Sequence, residues 1–93
     1  MNKLPKSGIK KILGVDVSIQ YVDEIDDGKS LGECLSDQNI IRIVRQNRSG
    51  MQETAIHEEL EYLNDKMAIG LNHKQIERLT TGIASITNGN KKA

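Results

Sequence analysis

The hydrophobic period of the chain changes once along its length. Val15, Val17, Ile19 and Tyr21 alternate with Asp16, Ser18 and Gln20, a period of two that predicts a half-buried strand. The polar stretch 23–30 (DEIDDGKS) follows, with Gly28 as its breaker. Residues 31–35 predict a second strand, 36–39 (SDQN) a turn, and 40–45 a third strand rich in β-branched side chains. The short connections between these runs imply antiparallel neighbours. Beyond Gly50 the spacing becomes three and four. Ile56, Leu60, Leu63 and Met67 form one apolar stripe, and Ile76, Leu79, Ile83 and Ile86 form another. Ser49 with Gln52, and Asn72 with Gln75, match the capping box that opens a helix, and Gly70 is a natural stop between the two.

The pattern therefore predicts an α+β fold, a three-stranded antiparallel sheet followed by two α-helices packed on one of its faces. A single domain would span residues 12–87. Residues 1–11, with Pro5, Gly8 and the lysines 3, 6, 10 and 11, read as a flexible basic lead-in, and 88–93 (NGNKKA) as a disordered tail.

Composition narrows the function classes. The chain has 93 residues, no Trp and no Phe, so only Tyr21 and Tyr62 give the core aromatic bulk. A domain this small buries a modest share of its surface, and a bound metal would add useful stability. Thirteen basic residues balance thirteen acidic ones, which argues against a dedicated nucleic-acid binder. The stretch 71–86 (LNHKQIERLTTGIASI) is similar to the recognition half of a phage-repressor helix-turn-helix. Lys74 and Arg78 are too few cations for a groove reader, so a DNA-binding regulator is the weaker alternative. Cys34 is the sole cysteine, which forbids an intrachain disulfide and fits a reducing, cytoplasmic setting. It reads as a small core residue. Gly14, Gly28, Gly32 and Gly50 read as turns or bulges and form no phosphate-binding pattern. No secretory signal and no membrane-length apolar run is evident.

The candidate chemistry lies in "TAIHEELEYLN", residues 54–64. His57 and Glu61 are four apart, about one helical turn, so both lie on one face of the first helix beside Ile56 and Leu60. That spacing suits two ligands for one ion. Glu58 projects at the adjacent angle. In the His-Glu-x-x-His motif of zinc proteases this carboxylate is the general base. Catalytic zinc takes three protein ligands, and the second helix offers His73 and Glu77, again four apart. If the two helices pack together, these residues face His57 and Glu61. Solvated surface charge is the simpler account of a histidine among Glu58, Glu59 and Glu61.

Residues 15–86 resemble the small metalloprotease-like proteins of bacterial and phage genomes known as minimal gluzincins, whose larger relatives are the ImmA/IrrE group. In that family a short sheet precedes a helix of the form T-hydrophobic-hydrophobic-H-E-x-x-H, and a second helix reads close to L-S-E-E-Q-V-E-R-L-A-x-G-L. Here Thr54, His57, Glu58, Gln75, Glu77, Arg78, Leu79 and Gly82 fit that pattern. The resemblance implies zinc as cofactor, ligands from both helices, Glu58 as the base, and amide hydrolysis as the reaction. The chain departs from the family in carrying Glu61 where the second histidine belongs and His73 where the family places acidic residues. An exchanged set of His57, Glu61 and His73 keeps two imidazoles and one carboxylate. With Glu77 as third ligand the set is harder and favours Mn²⁺ or no metal. The departure favours a degenerate, non-catalytic relative of phage or prophage origin, one that acts by binding another protein or peptide; an active zinc-dependent peptidase with Glu58 as the general base is the alternative.

Overall fold

The structure is a computed structural model and describes residues 7–90. Four strands, Gly8–Ile12 (β1), Val15–Val22 (β2), Gly32–Leu35 (β3) and Ile40–Val44 (β4), precede two helices, Arg48–Lys66 (α1) and His73–Asn90 (α2). The α+β class and the two helices match the sequence pattern, but the sheet differs from it. The sheet has four strands in the order β1-β2-β4-β3, and it is mixed: β2 runs parallel to β4, and the other two pairs are antiparallel. The extra strand comes from residues expected to be a lead-in. The run GIKKI of β1 closes a hairpin on β2 through Leu13 and Gly14, both at positive φ (53° and 75°). A two-residue hairpin turn of matching twist requires that backbone, and glycine supplies it without strain.

The parallel pair follows from burial. Ile40–Val44 (IIRIV) carries the densest β-branched apolar run in the sheet, and its Ile41 and Ile43 are fully buried. Such a strand is most stable with a partner on each side. It therefore inserts between β2 and β3, and residues 23–31 cross over it. Val17, Ile41 and Ile43 meet Met51 and Tyr62 of α1 in the core, with Ile19, Tyr21, Cys34 and Ala55 packed around them. Each large side chain so buried stabilises the fold by roughly 1.5–3 kcal/mol.

The helices do not share one face of the sheet. α1 lies on β3 and β4, and α2 packs on α1. The faces that do this are rotated from the predicted stripes. α1 buries Met51, Glu58 and Tyr62, and Ile56, Leu60 and Leu63 are only half-buried. α2 buries Ile76, Thr80 and Ala84, while Leu79, Ile83 and Ile86 stay 43, 37 and 65% exposed. The buried face of α2 thus combines Ile76 with the smaller Thr80 and Ala84. Asn47, not Ser49, caps α1, accepting from the Gly50 amide at 2.6 Å. The Asn72–Gln75 box forms in both directions at 2.9 Å. Helix α2 continues to Asn90, past the residue 88 where a tail was expected; residues 1–6 and 91–93 of the expected flexible ends lie outside the described residues.

Candidate metal centre and its cleft

His57, Glu58 and Glu61 are positioned by the middle turns of α1. His73 is the first residue of α2, and the connection between the helices determines where it falls. Asn64 of α1 clamps that connection: its side-chain amide donates to the Leu71 carbonyl (3.1 Å), and its carbonyl accepts from the Leu71 amide (2.8 Å). The Asn72 cap then starts α2 at once. His73 is thereby set beside His57, ring centroids 5.7 Å apart and inclined at 68°.

One donor atom from each of His57, Glu61 and His73 lies within 4.8 Å of the other two. Donors around a tetrahedral ion at about 2 Å stand roughly 3.4 Å from one another. His57 Nε2 and Glu61 Oε2 already stand 3.4 Å apart, and modest side-chain rotation closes the rest. Two imidazoles and a carboxylate are a donor set that zinc accepts, so this group could hold a metal ion. Glu77 is placed differently. Its Oε2 lies 3.0 Å from His73 Nε2, and it is not one of the three-donor group. A carboxylate in that position fixes the tautomer and orientation of a ligand histidine.

The Glu58 carboxylate approaches Gly32 of β3. Glu58 is 8% exposed and lines a cleft of about 620 Å³ between α1, α2 and the segment 30–32. No hydrogen bond or ion pair holds its carboxylate among the described residues, and no buried polar side-chain atom lacks a partner. The carboxylate oxygens therefore open onto the cleft. Burial, followed by the nearby charges of Glu61 and Glu33, pushes the group up to about 7. Such a carboxyl group can both accept and return a proton near neutral pH.

Gly32 makes room for Glu58. A methyl group on its Cα would come 2.5 Å from Thr54 Cγ2 and 2.9 Å from Glu58 Oε2. Gly32 thus permits a close approach of β3 to α1 and is no turn residue. Gln46 borders the same cleft and donates to Thr54 Oγ1 at 3.3 Å. Sequence reasoning passed over Asn64 and Gln46 and read Gly32 as a turn or bulge. Asn64 and Gln46 act through contacts that leave no local pattern, and a glycine inside a strand does signal close backbone approach. Cys34 packs against the core, and its thiol is pushed up to about 11 by burial and then by Glu58, Glu61 and Asp65. It is therefore no thiolate nucleophile. Among the described residues no helix is long and apolar enough to cross a membrane. Compared with known protein families, curated proteins and solved structures, the chain shows no match.

Proposed function

We propose that this chain is a compact metal-dependent peptidase in which His57, Glu61 and His73 hold the ion and Glu58 is the general base. The observation that carries this reading is the convergence of three donors from two helices to within 4.8 Å, one residue along α1 from a carboxylate that is buried, unpartnered and open to a cleft. A bound Zn²⁺ would supply Lewis-acid polarisation of the substrate carbonyl. The chain's own residues do the rest. Glu58 takes a proton from the attacking water as the water oxygen bonds to the carbonyl carbon. It then delivers that proton to the amide nitrogen as the C–N bond breaks. Glu77 orients His73, and Gly32 keeps the wall opposite Glu58 low enough for a peptide to lie against it.

A second reading has its own observation. His57 pairs with Glu61 and His73 with Glu77, so both imidazoles have partners without an ion. On that reading the cleft binds a protein segment without cutting it.

Zinc analysis of the untagged protein, with hydrolysis of a fluorogenic peptide panel, separates the two. Stoichiometric zinc that is lost in His57→Ala and His73→Ala, with Glu58→Gln keeping zinc and losing cleavage, supports the peptidase. A wild-type protein that takes up no added zinc overturns it. Zinc without cleavage leaves the binding role.

A further inference from the structure

We infer that the cleft selects peptides carrying a lysine or arginine close to the reacting bond, and that Glu53 is the carboxylate that recognises the cation. This inference rests on the reading of the cleft as a peptide site.

Three observations support it. First, the charge of the cleft is one-sided. Glu53, Glu58 and Glu77 line it, Glu77 being paired with His73, and no lysine or arginine does so among the described residues. The chain as a whole is neutral, so this is a local imbalance. Lys10, Lys11, Arg42 and Arg45 are each tied to an acid outside the cleft. Second, Glu58 is nine-tenths buried and unpartnered, and its oxygens open into the same space. That leaves a polar group in the cleft wall with no protein donor to satisfy it. Third, Glu53 sits one helical turn before His57 on α1, and it has no ion pair of its own among the described residues. One turn is about 5.4 Å along the axis, and an extended peptide advances about 3.3 Å per residue. Glu53 is therefore opposite a side chain one or two residues from a carbonyl held at His57. A long cationic side chain reaches that far with its apolar stem lying along Thr54 and Thr81, which also line the cleft.

The test uses the full-length chain carrying Glu58→Gln and loaded with Zn²⁺, so that bound peptide is not consumed. Fluorescence anisotropy compares two pairs of labelled peptides, lysine against norleucine and arginine against citrulline at one position. The cationic member of each pair should bind about tenfold more tightly, or ~1.4 kcal/mol. That preference should weaken with added salt. It should fall to about threefold or less when Glu53→Gln is added, and reverse with Glu53→Lys. Glu53 is exposed on a helix surface, and circular dichroism checks that the variants stay folded. Equal binding within each pair, a preference indifferent to Glu53→Gln, or no binding of either peptide overturns the inference. Cleavage by the wild-type enzyme reports on the other reading. If the wild type cuts the norleucine peptide as fast as the lysine peptide, the peptidase stands and the cation preference falls. If it cuts neither peptide while the anisotropy preference persists, the peptidase falls and the preference stands.

Discussion

Replacing Glu58 with Gln should make the metal-free protein more stable at alkaline pH and leave it nearly unchanged in acid. The Glu58 carboxyl group is raised from an ordinary 4.5 to about 7, chiefly by burial and secondarily by Glu61 and Glu33. The folded state therefore holds this proton more tightly than the unfolded chain does. As pH rises from about 4.5 through about 7, the native protein must either keep a proton that solution would remove or bury a charge. Stability present below the lower value is lost across that window. At ~1.36 kcal/mol per unit the shift amounts to about 3 kcal/mol. Because the oxygens face an open cleft, solvent screening reduces this to about 2 kcal/mol. Glutamine has the same shape and no charge at any pH, so Glu58→Gln removes this term alone. Urea unfolding of both proteins in EDTA, at several pH values between about 4.5 and 8.5, measures it. The stability difference between the two should grow in favour of Glu58→Gln by about 2 kcal/mol over the range, with His57 and His73 cancelling because both proteins carry them. Parallel pH profiles would refute the burial argument, and with it the claim that Glu58 is poised to exchange protons near neutrality.

Three further outcomes follow from the packing. Gly32→Ala should destabilise the fold by about 1–3 kcal/mol, the usual cost of overpacking, because the new methyl group meets Thr54 and Glu58; urea midpoints measure the loss, and unchanged stability would mean that β3 and α1 are not in close contact. Asn72→Ala removes the side-chain half of the capping box and should cost about 1 kcal/mol; because the cap starts α2 at His73, zinc affinity should weaken as well, and a zinc titration of the variant checks that link. Tyr62→Phe deletes the hydroxyl that donates to Asn39 Oδ1 at 2.8 Å and should cost about 1 kcal/mol, seen as a lower thermal midpoint, whereas a loss above about 3 kcal/mol would mean that the ring itself had moved.

Features that depend on neighbours in sequence were legible, and features that depend on distant segments were not. The Asn72–Gln75 box and the one-turn spacing of His57 and Glu61 are local, and both stand in the structure. The place of β4 between β2 and β3 depends on which strand gains most from two neighbours, a competition that short loops conceal. Strand β1 was missed because Lys10 and Lys11 break the alternation that marks a strand. The apolar stripes were read correctly as helical but assigned to the wrong contacts. Thr80 and Ala84, not Leu79, Ile83 and Ile86, join Ile76 on the buried face of α2. Glu58 was legible as a candidate base from its place beside His57, but not its burial, which depends on the close approach of Gly32, 26 positions earlier in the chain.

The strand order also determines how the sheet assembles. It consists of two local ribbons, β1 with β2 and β3 with β4, joined side by side by the β2–β4 pairing. Each ribbon can zip up within microseconds, but joining them means closing the 23–31 crossover, so the seam between β2 and β4 sets the folding rate. Lengthening that crossover twofold should cost only about 0.6 kcal/mol in closure entropy. Weakening substitutions at Ile19 or Ile41, which face each other across that seam, should therefore slow refolding in stopped-flow experiments, while changes at the α2 surface act mainly on unfolding.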